Sequence, residues 1–348
     1  MRNISITGGA GFIGQKLVQV LLKEPNSVNI KVLDSFLPQI HDKDAESKFR
    51  KKFPNVNLKN GDILNKDDLD WLINDSDVFI HLASETGTGQ SMYNIVNYTN
   101  TNITGTSLIL ERLLKSGKTI EHFLLSSSRS IYGEGAYLSS SNECVSGNLK
   151  RNIEDMKLGR FDIYCPDTGN IMNPIATNEE CIPNPLSFYA ATKLFQEQQI
   201  NLYKEKLFHR TTIFRFQNVY GEGQSLNNPY TGILAVFFNL ANDNKSLNVF
   251  EDGLESRDFI HVDNVVETMR CSIFSDNESW NGVFNLGTGK QTKIIDVAKN
   301  VVAFFNNNVD IKVSGDFRVG DIRHNFADIK KINNLGINSK EFISFEEG

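Results

Sequence analysis

Thr7-Gly8-Gly9-Ala10-Gly11-Phe12-Ile13-Gly14 is the stretch on which the fold turns. An apolar strand over 3–7 runs into it, and a helical pattern through Phe12, Ile13, Leu17, Val20 and Leu21 (12–23) runs out of it. Glycine at 8, 11 and 14 permits a tight turn and a close approach of backbone to a pyrophosphate. The helix N-terminus adds free amides and a partial positive charge. A second strand, 29–33, ends at Asp34, 20 residues beyond Gly14 (34 − 14). A carboxylate there accepts hydrogen bonds from a ribose 2′-hydroxyl and repels a 2′-phosphate, which favours NAD over NADP.

Working outward, strands are expected over 55–59, 77–82 and 121–125, with helices over 66–73 and about 91–116. Alternating strands and helices predict an α/β, Rossmann-type, doubly wound parallel sheet. The rhythm breaks over 134–186, which is polar, rich in Asn, Ser, Gly and Pro, and carries Cys144, Cys165 and Cys181. This segment is read as an insertion with little regular structure, and so long an irregular stretch is more often functional than idle. The rhythm resumes with a helix at 187–206 and a strand at 210–215. Helices near 231–242, 262–274 and 293–306 belong to a mixed pattern. The expected division is a cofactor domain over 1–217, to which 262–286 returns, and a smaller mixed α/β substrate lobe over 218–348.

The chain has 348 residues, 40% of them hydrophobic and 22% charged, with a net charge of −6. That balance disfavours a nucleic-acid partner, whose phosphates need clustered Lys and Arg. No apolar run has the length of a membrane span. Four cysteines without regular spacing fit reduced thiols and a cytoplasmic location.

Tyr189-Ala190-Ala191-Thr192-Lys193 puts a phenol and an ammonium on one helix face. A free phenol titrates near 10 and is a poor base at neutral pH. A nearby ammonium and an oxidised nicotinamide favour its phenolate, which makes Tyr189 a candidate proton shuttle. The Ser126-Ser127-Ser128 run after the fifth strand offers a hydroxyl for the reacting oxygen. A Tyr-x-x-x-Lys pair alone occurs by chance on many helices; the glycine loop gives this one its meaning. His81 and His261 lie on apolar strands and are read as satisfied core histidines.

These residues resemble the extended short-chain dehydrogenase/reductase family, and nucleotide-sugar epimerases in particular. Gly61-Asp62-Ile63 is similar to the family's adenine contact, and His81-Leu82-Ala83-Ser84 to its nicotinamide-side strand end. Ser126–Gly133 resembles its serine strand, and Arg215–Gly221 the segment whose Asn holds the sugar nucleotide. Arg257–Asp263, Asn285–Gly289 and Arg318–Asp321 resemble further family segments.

The resemblance implies bound NAD, contacted by Gly8, Gly11, Phe12, Ile13, Gly14, Asp34, Asp62, Ile63, Leu82, Ala83, Ser84, Asn102, Ser126, Tyr189 and Lys193. It implies Ser128, Tyr189 and Lys193 as the catalytic set. Ser128, Arg129, Asn218, Arg257, Arg318 and Asp321 are then the contacts to a nucleotide sugar. A homodimer formed by helices 91–116 and 187–206 is also implied.

Arg129 and Ser130 stand where a 4,6-dehydratase has an acidic pair, which points to a 4-epimerase working through a 4-keto sugar. Glu85–Ser91, Ser128-Arg129, Gly133–Gly135 and Asn228–Gly232 resemble the group acting between dTDP-L-rhamnose and dTDP-6-deoxy-L-talose. The alternatives are a UDP-hexose 4-epimerase or another enzyme of the scaffold, such as a dehydratase or reductase. That group sometimes has Cys-Pro-x-Cys-Gly in its insert. Here Thr168 replaces the second Cys and the insert has no histidine, so no metal is expected.

Overall fold

The computed structural model describes residues 2–24, 28–139, 141–225, 232–305 and 309–348. Its centre is a sheet of seven strands: β1 (Arg2–Thr7), β2 (Val28–Asp34), β3 (Asn57–Asn60), β4 (Val78–His81), β5 (Ile120–Ser128), β6 (Phe208–Phe216) and β7 (Gly282–Leu286). Their order is β7-β6-β5-β4-β1-β2-β3, and every pairing is parallel. Ile4 lies between Ile30 of β2 and Val78 of β4. The order reverses at β1 and β4, and their C-terminal ends open the crevice where such sheets bind ligands.

The period of two along each strand separates two apolar layers. Ile4, Ile6, Val32, Val78, Ile80 and Leu124 pack on one face with Leu17 and Val18 of α1 (Phe12–Leu21). Leu33, Phe79, Phe123 and Leu125 pack on the other, with Ile109 and Leu113 of α2 (Gly105–Ser116) and Ile200 of α3 (Phe188–Leu207). The first layer also takes Val265, Val266 and Met269 from α4 (Val262–Phe274). A third cluster, including Tyr220, Phe237, Leu247, Val249, Phe259 and Val297, organises residues after β6.

Two expectations change. The helix expected over 91–116 is broken. A turn at Thr88–Ser91 and a helical piece at Ile95–Tyr98 lead into a π-helical stretch, Thr99–Thr104, before α2. The insertion has more structure than its composition suggests. Ala136–Leu138 pairs antiparallel with both Cys144–Val145 and Asn173–Ile175, and Ile153–Lys157 is a short helix. It is stitched to the end of the chain by Thr177 N–H to Phe326 C=O (2.9 Å) and Asp328 N–H to Thr177 C=O (2.8 Å). No helix among the described residues is long and apolar enough to cross a membrane.

Candidate active site

The glycine loop has the geometry of a cradle. Gly8 has φ +69°, and a Cβ there would lie 2.7 Å from the Ala83 nitrogen. A Cβ on Gly14 would stand 2.6 Å from the Gly8 carbonyl oxygen. Gly11 caps α1 without a side-chain hydrogen bond, so the first-turn amides around Phe12 and Ile13 stay directed out of the helix end. Asp34 is buried at the end of β2 and accepts from the amides of Ala10 (2.9 Å) and Phe36 (3.0 Å). His41 Nε2 lies 3.3 Å from its carboxylate. A loop that a Cβ would fill, beside bare helix amides and a fixed carboxylate, fits a dinucleotide.

Around this loop, Asp62 turns inward on its own chain, accepting from Leu64 N–H (2.8 Å), and Ile63 is buried in the second layer. Leu82, Ala83 and Ser84 continue β4 beside Gly8. Asn102 lies in the π-helical stretch, fully buried. Its Oδ1 accepts from Ser84 Oγ (3.0 Å) and Glu85 N–H (2.8 Å). Its Nδ2 donates to Glu85 C=O (3.1 Å) and Thr192 Oγ1 (2.9 Å). All of its polar capacity holds the 84–85 loop against α3. It therefore fixes Ser84 and Glu85, the end of the strand expected at the nicotinamide.

α3 begins at Ser187, whose hydroxyl accepts from Ala190 N–H (3.1 Å), and it carries both Tyr189 and Lys193. The Ser128 side chain and Arg129 lie close enough to Tyr189 to act on its phenol. Burial raises its phenol above the usual 10, while Ser128 and the charge of Arg129 pull it back. Lys193 is buried and donates to the Ser126 carbonyl at 2.8 Å. Burial lowers its ammonium to about 7, against the raising influence of Glu197. Arg129 is thus a cation that acts on the phenol, beside the ammonium that the sequence pattern names. Tyr98 meets the Tyr189 ring edge-on, with centroids 6.4 Å apart.

A buried network lies beneath. Ser127 Oγ donates to Glu197, which pairs with Arg215 at 2.8 Å. Arg215 also donates to the Tyr132 hydroxyl (2.7 Å), which donates to Asn285 Oδ1 (2.8 Å). These residues fasten β5 to α3, β6 and β7. Ser127, Tyr132, Arg215 and Asn285 lie in segments singled out in the sequence, but the network that joins them through Glu197 was not foreseen, although a charged residue inside Thr211-Thr212-Ile213-Phe214-Arg215-Phe216 was the available signal. His81 is a satisfied core histidine. Its Nδ1 meets Thr7 Oγ1 (2.8 Å), its Nε2 meets Thr106 Oγ1 (3.0 Å), and burial drives it down to about 3.

Among the residues expected to contact the nucleotide sugar, Arg129 Nε donates to Asn218 Oδ1 (3.2 Å). Burial lowers Arg129 to about 9, with Arg257 adding repulsion and Asp321 attraction. Arg257 donates to the carbonyls of Ser256 (2.8 Å), Arg323 (3.0 Å) and Ile322 (2.6 Å). Neither guanidinium has a carboxylate within ion-pair distance among the described residues. Two such cations are suited to an anion of charge −2. Arg318 stacks over Phe250, 4.4 Å from its centroid.

The insert's thiols do not share one environment. Cys165 packs with Tyr137, Leu149, Ile163 and Met172, whereas Cys181 packs with Ile131, Tyr132 and Ala136 and faces Cys144.

The chain matches the model of the NAD dependent epimerase/dehydratase family over residues 4–153 and 163–287. It belongs to that family. The dTDP-L-rhamnose 4-epimerase of Burkholderia thailandensis is 34% identical over 338 residues, 96% of this chain and 90% of the relative. A putative UDP-glucose 4-epimerase of Methanocaldococcus jannaschii is 29% identical over 351 residues, 99% and 95% of the two chains. Among solved structures, the UDP-glucuronic acid 4-epimerase of Bacillus cereus with NAD superposes with a TM-score of 0.76 at 25% identity, covering 96% of this chain and 92% of that one. The chain is an NAD-dependent nucleotide-sugar epimerase with the Rossmann-type fold its glycine loop predicts.

Proposed function

We propose that this family member is a 4-epimerase acting between dTDP-L-rhamnose and dTDP-6-deoxy-L-talose. The observation that carries the reading is the convergence of Ser128, Tyr189 and Arg129 at the end of β5, in the same parallel sheet as the β1 strand that leads into the glycine cradle. The 34% identity to an enzyme of that name, and Arg129 where a dehydratase has an acid, support the choice.

In this reading Gly8, Gly11 and Gly14 admit the pyrophosphate to the amides of α1, and Asp34 holds the adenosine ribose. NAD, when bound there, supplies reversible hydride acceptance. Tyr189 takes the proton from the sugar 4-hydroxyl and later returns it. Ser128 donates to the same oxygen while it is a carbonyl, and Lys193 holds the nicotinamide ribose. Asn218, Arg257, Arg318 and Asp321 anchor the nucleotide while the sugar presents its other face. Exposed apolar side chains on these segments, Val96 (71% exposed), Tyr93 and, on α3, Leu202 (81% exposed), support a homodimer across these helices.

The test is incubation of purified protein with dTDP- and UDP-sugars and no added cofactor, with products identified by NMR and kcat/KM measured for each. Interconversion of the two 6-deoxy-L-sugars is expected. One methyl group is worth only about 1–3 kcal/mol, so weaker action on relatives is expected too. A preference for a UDP-hexose by about tenfold, or 1.4 kcal/mol, overturns the substrate and leaves 4-epimerisation standing.

A further inference from the structure

We infer that Arg151, inside the insertion, is a positioning residue for the nucleotide-anchoring segment Arg318–Asp321. The inference rests on the reading of that segment given above. Arg151 lies in a polar stretch, yet its side chain is only 4% exposed. Its Nη2 donates to the Asp321 carbonyl. Its Nη1 bonds Glu251 at 2.5 Å, and its Nε stands 3.2 Å from Glu134.

The same two carboxylates continue the network. Glu134 accepts the Arg323 amide at 2.6 Å, and Glu251 pairs with the Arg323 guanidinium at 3.1 Å. Arg257 holds the next two carbonyls, of Ile322 and Arg323. Residues 321–323 are therefore pinned by two arginines, one from the insert and one from the Ser256–Arg257 strand.

A guanidinium is suited to this task. Its planar fork of donors satisfies several acceptors in fixed directions, which a single ammonium cannot do. Because those donors go to Glu134, Glu251, Asp321 and Phe161 (3.4 Å to the carbonyl), Arg151 acts on a substrate through the segment it holds. The insertion is thereby tied to nucleotide affinity, and it leaves the chemical step to Ser128 and Tyr189.

The test compares Arg151→Lys with the full-length wild type. Lysine keeps a cation between the two buried carboxylates while the three-way fork is lost. Titration calorimetry with dTDP alone is expected to show affinity weakened about tenfold, equivalent to 1.4 kcal/mol. KM for the nucleotide sugar rises in step, while kcat stays within about twofold and NAD content is unchanged. Glu251→Gln leaves Arg151 in place but loosens it, and is expected to weaken dTDP binding less. It carries the test if the lysine variant fails to fold. Unchanged dTDP binding, or a fall in kcat at constant KM, overturns the inference. A wild type that binds neither dTDP nor UDP overturns the nucleotide reading, and this inference with it.

Discussion

The proposed cofactor side is shaped by backbone, whereas the proposed substrate side is shaped by buried charge. At the glycine loop the working parts are a positive φ, bare amides and the absence of Cβ atoms. Across the cleft, Arg323 alone meets Asp162 (2.8 Å), Asp252 (2.6 Å) and Glu251 (3.1 Å), next to Arg151 and Glu134. Apolar burial stabilises in proportion to area and does not dictate direction. Buried ion pairs add little net stability over apolar packing, yet breaking one is expensive, and they can fix geometry. A fixed cofactor suits a backbone cradle shared by a family. A sugar that must turn over while its nucleotide stays anchored suits a wall of directional bonds.

The seam between the two sides gives the sharpest test. Tyr189→Phe is expected to lower kcat by about 100- to 10,000-fold while NAD content and dTDP affinity hold. If either binding falls as well, the two sides are not independent; activity within about threefold of wild type removes Tyr189 from proton transfer.

Next in size is Arg323→Met, which takes the guanidinium from buried Glu251 and from the partly exposed Asp162 and Asp252 and should cost about 3 kcal/mol by denaturant unfolding. Adding Asp252→Leu should recover part of that loss. If the single variant is as stable as wild type, directional charge is not what holds this wall.

Per pH unit a smaller effect is expected, and it is common to both sides. His81 stays neutral in the fold down to about 3, whereas the unfolded chain takes up its proton near the ordinary 6.5. Stability is therefore lost as pH falls from 6.5 toward 3, by about 1.4 kcal/mol per unit from this residue. His81→Asn should flatten the stability–pH curve by that amount. His324, on the substrate side and likewise lowered to about 3, contributes in the same direction.

The smallest expected change is at Asp34. Asp34→Asn should reduce the preference for NAD over NADP by about tenfold, or 1.4 kcal/mol, measured by binding of both to stripped protein. An unchanged ratio places the selectivity elsewhere, with His41 the nearest neighbour to examine.

The parallel sheet was legible because its strands are short apolar runs ending in Asp34, Gly61-Asp62 and Ser126–Ser128, and because helix periodicity separates them. Tyr189, Lys193 and the glycine loop were legible because their chemistry depends on local spacing. The break at Thr99–Thr104 was not. It is set by the bonds of Asn102 to Glu85 and Thr192, partners distant in sequence. The insert's sheet was hidden by strands of two or three residues, too short to show alternation. Arg151 was hidden for another reason. A lone arginine among Asn, Ser and Lys reads as solvated, and only the fold brings Glu134, Glu251 and Asp321 around it. The Asn228–Thr231 part of the substrate segment lies outside the described residues.

A π turn spends one residue more than an α turn over the same rise. The stretch before α2 can therefore be viewed as an α-helix into which a single residue has been spliced, with the bulge swinging Asn102 toward the 84–85 loop. Excising one codon, such as that of Thr101, should let the segment relax into an ordinary helix. Ile109, Leu110 and Leu113 downstream would keep their packing. A change that makes the local geometry more regular would thus cut the tether between the loop and the helix of Tyr189. A sequence-trimming search for stability would find it attractive, and an activity screen would reject it.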